Sequence, residues 1–227
     1  DVVKQVGFSF EKVEEVEVKT DIQKLNLIII YLEGFHSEFI KMGGSTYKNL
    51  TPNLNKFSSD NLFLSNFYNA VTPTINSLIS GQCGLLPNFN NASLDKFVYA
   101  PDFKCLSDFL NDLNYHQVLM QGTSVIFSGI KKYAEYHQFD KILGRDELKE
   151  MFPKLKKRMT SWGINDYDLF QAAKTVVNEL KKKQPFHLTL LTIDTHPPFK
   201  SSPECPNYSD DKKLNTIHCA DYVLGEF

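Results

Sequence analysis

The chain has 227 residues, 42% of them hydrophobic and 23% charged, with a formal net charge of −2. That length and balance suit a single mixed globular domain able to bury its own core without metal or disulfide staples. The charge gives no reason to expect a nucleic-acid partner, and no stretch approaches the ~20 apolar residues of a membrane span.

Taken in chain order, residues 1–24 lack a basic start followed by an apolar core and read as a lead-in from a removed anchor or linker; residues 25–227 read as the domain. "KLNLIIIYLEG" (24–34) is a continuous apolar run closed by Glu33 and Gly34, the pattern of a strand covered on both faces. "LTPNLNKFSSD" (50–60) predicts a helix with Thr51 as its cap and Pro52 at the first helical position. "NLFLSNFYNA" (61–70) alternates and predicts a second strand. Pro73 then opens a helix over 73–80, with Thr72 and Thr74 at its start.

Apolar residues at helical spacing mark 105–113, and "YHQVLMQG" (115–122) is a short buried strand ending in glycine. Residues 128–144 predict a helix and then a brief strand. The strongest helix is "DYDLFQAAKTVVNELKKK" (166–183), acidic at its start, basic at its end and capped by Asp166. "PFHLTLLTIDTH" (185–196) is another buried strand, and a last helix begins near Ile217. The lysine runs at 154–159 and 181–183 read as solvated helix faces.

Strands alternating with helices predict an α/β fold: a doubly wound, mostly parallel sheet flanked by helices. Working residues in such sheets sit at the carboxyl ends of strands, which selects Glu33, Gln121 with Gly122, and His196. A carboxylate closing an apolar strand must be paired, hydrogen-bonded or metal-bound. Pro197 and Pro198 hold His196 at the rim, with Asp194 on the same side of the strand, either to orient the imidazole or to bond within the sheet.

Thr74 is either an ordinary hydroxyl at a helix start or a nucleophile beside N–H groups and a dipole that favour anions. A threonine hydroxyl needs a base or a metal to become nucleophilic, and a Glu33–metal–Thr74 arrangement would supply one. Oxygen and imidazole ligands suit manganese, magnesium or zinc. Trp162, the only tryptophan, is either core packing or a wall of the ligand site. Cys83, Cys105, Cys205 and Cys219 contain no C-x-x-C pair; their even number fits two disulfides or four buried thiols.

The ordered stretches "NLIIIYLEGF", "LTPNLNKF", "TINSLISGQCGLLP", "CLSDFLNDLNYHQVLMQG", "FSGIKKYAEYHQFDKILG", "WGINDYDLF" and "LLTIDTHPPF" together resemble the alkaline-phosphatase/sulfatase superfamily. The likeness is to its branch of membrane-anchored phosphoglycerol transferases, which includes lipoteichoic acid synthase, and most of all to the kind that modifies periplasmic glucans. The resemblance implies a sulfatase-like fold in which Glu33 binds a divalent metal (manganese first, magnesium or zinc as alternatives). Thr74 is then nucleophile and metal ligand, and His196, in the H-x-P-F pattern, binds substrate. Gln121, Trp162 and Lys131 fall on the substrate side. Disulfides Cys83–Cys105 and Cys205–Cys219 in an oxidising periplasm are implied as well.

The donor would be an anionic phospholipid, the acceptor a glycan or glycerophosphate hydroxyl, and the whole protein membrane-anchored at the extracytoplasmic face of the inner membrane. Rival readings are a phosphoethanolamine transferase of the same superfamily and a non-catalytic domain that binds a glycan or partner.

The chain departs from the pattern at three places. Gln121 stands where lipoteichoic acid synthase has a histidine, a substitution shared with the glucan-type enzymes. That synthase's nearby tryptophan and arginine have no counterpart, Lys131 and Lys132 being the adjacent cations. Val71-Thr72-Pro73-Thr74-Ile75 lacks both the modifiable residue and the arginine of the sulfatase C/S-x-P-x-R motif, so sulfate-ester hydrolysis is not expected. The family's Asp-His metal pair is expected on a strand after Phe227. The resemblance therefore implies the front portion of a catalytic domain, truncated on its C-terminal side, inactive by itself and with an exposed sheet edge.

Overall fold

The computed structural model describes residues 24–69, 72–85 and 103–227. Strands β1 (Leu27–Tyr31), β2 (His116–Gln121), β3 (Lys141–Leu143) and β4 (Phe186–Leu191) form one parallel sheet in the order β1-β4-β2-β3. Each crossover carries helix: α1 (Pro52–Asp60), α2 (Thr74–Cys83) and α3 (Leu106–Asp112) between β1 and β2, α4 (Ile130–Tyr136) before β3, and α5 (Arg145–Met151) and α6 (Asp166–Leu180) before β4. Helix α7 (Lys212–Glu226) follows.

β4 lies between β1 and β2, and every one of its residues is buried. The two-residue period divides it between two cores. Phe186, Leu188 and Leu190 join Val118 and Met120 of β2 against Leu169, Phe170 and Ala173 of α6 and Val223 of α7. On the opposite face Leu191 and Leu119 pack against Ile75, Leu78 and Ile79 of α2 and Tyr133 and Ala134 of α4. Helices on both faces make the sheet doubly wound, as the alternation predicts.

The second face also buries a polar chain that crosses three strands. The Gln117 side-chain carbonyl accepts from His187 Nδ1 at 2.9 Å, Thr189 Oγ1 lies 3.0 Å from His187 Nε2, and Gln82 Nε2 donates to Thr189 Oγ1 and to the Tyr31 hydroxyl. His187 has no exposed surface, and burial lowers its pKa to about 4. The native state therefore keeps it neutral while the unfolded chain protonates near pH 6.5, so its contribution is present above that value and lost as pH falls toward 4. Between about pH 7.5 and about pH 5 the wild type is expected to lose about 2 kcal/mol more stability than His187→Gln. Urea unfolding of both proteins at the two pH values checks this; parallel losses would refute it.

The structure corrects several local expectations. Residues 61–69 form turns and irregular chain rather than a strand, with Leu62 87% and Tyr68 79% exposed; no strand among the described residues is offered to pair with them. Alternation creates a strand only where a ladder partner exists. Ala70, Val71 and residues 1–23 of the lead-in lie outside the described residues. Thr51 does not cap α1, because its hydroxyl turns to the Phe39 carbonyl at 2.5 Å. The carboxylate of Asp221, on α7, accepts instead from Asn53 N (3.1 Å) and Leu54 N (2.7 Å).

α2 runs on to Cys83 and closes on Gly84 in the left-handed region, φ +65°. α7 starts at Lys212, five residues before the expected start, because Asp211 accepts from Lys213 N and Leu214 N. Asn165, not Asp166, caps α6. β4 ends at Leu191, so residues 192–196 leave the sheet as a turn and the two-residue period no longer relates Asp194 to His196.

Candidate active site

β1, β2 and β4 run parallel, so their carboxyl ends open along one edge of the sheet. A cleft of ≈ 190 Å³ lies there, lined among others by Glu33, Thr74, Gln121, Trp162, Thr192 and His196. Three strand ends, one helix start and the loop before α6 thus bring together five of the residues singled out from the sequence. Lys131 is not in the lining; its ammonium lies 3.8 Å from Glu135 on the same helix.

Thr74 is the first residue of α2 and is exposed. Pro73 precedes it with extended backbone, and no side chain caps the helix. The threonine hydroxyl is therefore free of capping duty and donates to Glu33 Oε2 at 2.9 Å. Glu33 stands two residues past β1 and is half-buried. Its backbone N–H donates to Thr192 Oγ1 at 2.9 Å and its carbonyl accepts from Thr195 Oγ1. Gly34 then reverses the chain at φ +53°, where a β-carbon would lie 3.3 Å from the Thr195 carbonyl.

Two aromatic rings, of His196 and Trp162, also line the cleft. His196 Nδ1 is 2.9 Å from the Pro197 carbonyl, so this nitrogen carries the proton and Nε2 is left for a ligand. Trp162 Nε1 donates to that same carbonyl at 2.8 Å, and the two rings meet edge to face with centroids 4.3 Å apart. A tight approach places the tryptophan: Gly163 has φ +149°, and a β-carbon there would lie 2.1 Å from the Gly122 carbonyl. Gln121, at the end of β2, is anchored by Nε2 donating to the Ser124 carbonyl at 2.9 Å.

Behind this wall Asp166 and Asp194 bind reciprocally. The Asp166 carboxylate accepts from Ile193 N (2.8 Å) and Asp194 N (3.2 Å), and Asp194 Oδ2 accepts from Asp166 N (2.8 Å). Asp194 therefore anchors α6 rather than the imidazole. Burial, and then the neighbouring Asp166 charge, raise the Asp194 pKa above the usual carboxylate range. The roles of Thr192, Thr195 and Asp166 have no local signature in the sequence beyond the cluster of hydroxyls and a carboxylate in "LLTIDTH".

Both disulfides form as the resemblance implies. Cys83–Cys105 ties the end of α2 to the start of α3, and Cys205–Cys219 ties the segment after β4 to α7. The one cluster of three ligand-type side chains near enough to share an ion, among the described residues, is Cys83, Cys105 and His137, and the disulfide consumes both its thiols. Glu33 and Thr74 present two adjacent oxygen donors, a fitting but partial set for a hard divalent cation. No helix among the described residues is long and apolar enough to cross a membrane.

The Sulfatase family model matches residues 25–227. Phosphoglycerol transferase I of Salmonella typhi is 29% identical over 217 residues, covering 90% of this chain and 28% of that protein. An alkaline phosphatase superfamily protein from Vibrio parahaemolyticus superposes with a TM-score of 0.78 at 24% identity, over 90% of this chain and 50% of its own. The lipoteichoic acid synthase LtaP from Listeria monocytogenes gives 0.76 at 19% identity, over 90% of this chain and 51% of its own. At those identities the two structures show the fold alone. This chain spans less than a third of the length of its matched Salmonella relative.

Proposed function

We propose that this chain, which belongs to the sulfatase family, carries the nucleophile side of a metal-dependent phosphoglycerol transferase. The observation that supports this most is the Thr74 hydroxyl bonded to Glu33 at a helix start, in one cleft with His196. Thr74 Oγ1 attacks the phosphorus of a phosphatidylglycerol-type donor while Glu33, already its hydrogen-bond acceptor, takes the proton. The new Oγ–P bond replaces the bond to diacylglycerol, whose oxygen takes that proton back from Glu33 as it leaves. A hydroxyl of a glycan or glycerophosphate then attacks the phosphorus, the Oγ–P bond breaks, and the acceptor's proton passes by way of Glu33 to Thr74 Oγ1.

With Nε2 protonated as well as Nδ1, His196 donates to a phosphoryl oxygen, while Trp162 and Gln121 wall the glycerol end. Lys131, next to Ile130 of the lining, faces Glu135 and would reach the donor phosphate only by leaving that partner. Glu33 and Thr74 would hold a divalent ion, manganese first, that lowers the hydroxyl pKa and offsets phosphoryl charge. The two oxygens fall short of a full coordination shell, so the remaining ligands in this reading are the downstream Asp-His pair that the resemblance implies. Two disulfides favour an oxidising compartment, in keeping with a membrane-anchored enzyme at the extracytoplasmic face of the inner membrane.

Intact-mass spectrometry of the full-length protein with phosphatidylglycerol and Mn2+ tests the reading. A phosphoglycerol adduct is expected on the intact protein and, after digestion, on the peptide containing Thr74. An adduct only with phosphatidylethanolamine would make it a phosphoethanolamine transferase, and no adduct with either lipid would leave a binding domain.

A further inference from the structure

We propose that Thr192 and Thr195 are positioning residues: their hydroxyls grip the Glu33 peptide from both sides and so aim its carboxylate at Thr74. The proposal rests on the site described above for its functional meaning, but its geometry stands apart from metal or substrate.

The parallel ladder between β1 and β4 pairs Tyr31 with Leu191 as its last register, and the Thr192 N–H donates to the Tyr31 carbonyl at 3.1 Å just beyond it. There the two chains part, and a residue two positions further on would ordinarily bond to water. Glu33 does not. Its N–H is taken by Thr192 Oγ1 and its carbonyl by Thr195 Oγ1, two hydroxyls of one turn. With both backbone polar groups held and Gly34 turning the chain away, side-chain torsions are the main freedom left to Glu33.

The turn that does the gripping is itself held rigidly. Asp166 takes the N–H groups of Ile193 and Asp194, between the two threonines, and Asp194 returns a bond to the first residue of α6. Thr192, Asp194 and Thr195 are each 5% exposed or less and Asp166 not at all, so water offers little competition for these bonds. The His196 N–H closes the same turn on the Ile193 carbonyl at 3.0 Å. Glu33 and His196, both lining the cleft, are thus referenced to one short segment. Simple satisfaction of buried polar groups would stabilise the fold, whereas a grip of this kind also sets the distance between Glu33 and Thr74.

The test compares Thr192→Val/Thr195→Val, which keeps the shape and removes both hydroxyls, with Thr192→Ser/Thr195→Ser, which restores them. Crystal structures of both variants and the wild type of the full chain give the first readout. The Thr74 Oγ1 to Glu33 Oε2 contact is expected to open past hydrogen-bond range in the valine pair and to persist in the serine pair. A valine pair that loses stability yet keeps this contact would overturn the proposal and leave the threonines merely structural. Should the valine pair fail to fold, the two single valine variants replace it under the same criterion.

Mn2+ titration followed by fluorescence of Trp162, the sole tryptophan, supplies the second readout with Glu33→Gln as reference. Affinity is expected to fall about tenfold in the valine pair and to recover to within about threefold in the serine pair. Mn2+ binding that ignores Glu33→Gln would sink the metal reading alone, and the crystallographic contact would still decide the grip.

Discussion

Thr74→Ala in the full-length enzyme is expected to lower phosphoglycerol transfer by a factor on the order of a thousand or more, because the group that forms the covalent bond is gone. Thr74→Ser, which keeps a hydroxyl at the helix start, is expected to retain transfer to within about tenfold. Stability should barely respond: Thr74 is exposed and its hydroxyl makes one bond, to Glu33, so the alanine variant loses about 1 kcal/mol or less. A transfer assay beside a urea unfolding curve separates the two effects. Transfer that survives Thr74→Ala would end the nucleophile assignment. Transfer lost together with the fold would show that the hydroxyl matters for structure instead.

The largest stability effect is expected at a residue far from the chemistry. Asp221→Ala should destabilise the protein by about 3 kcal/mol, since it removes the acceptor of the α1 start and leaves the buried Leu54 N–H unpaired. Asp221 has no exposed surface and takes three donors at the start of α1: Asn53 N, Leu54 N and Asn53 Nδ2 at 3.0 Å. α7 comes this close because Gly225 carries no side chain; a β-carbon there would lie 2.3 Å from Asn53 Cγ. Burial outweighs these bonds and raises the Asp221 pKa, so the charge itself is held at a cost. Asp221→Asn, neutral but still an acceptor, should therefore lose only about 1 kcal/mol. Denaturant midpoints of the two variants check the ranking, and an alanine variant as stable as wild type would refute it.

The elements most legible in the sequence are those whose evidence is local. The unbroken apolar run of β1, the short buried strands β2 and β4 and the 3.6-residue rhythm of α6 each carry their pattern within a dozen residues. Where the expectation fails, a distant partner decides. Residues 61–69 have a strand's alternation and no neighbour to pair with among the described residues, and Thr51 has a cap's chemistry but a nearer acceptor in the Phe39 carbonyl.

The candidate site divides in the same way. By itself the sequence determined the α/β class, the residues at strand ends and, through the order of its motifs, the family; the cysteine pairings it left open, with the resemblance alone implying those that form. Only the tertiary structure decided that Glu33, Thr74, Gln121, Trp162 and His196 share one cleft, that Lys131 stays outside its lining, and that Asp166 serves the turn after β4. Periodicity and backbone preference act over a few residues and leave a local signature. The bonds from Asp221 to Asn53 and from Thr192 to Glu33 span 168 and 159 residues, and no local pattern encodes which ends of the chain will meet.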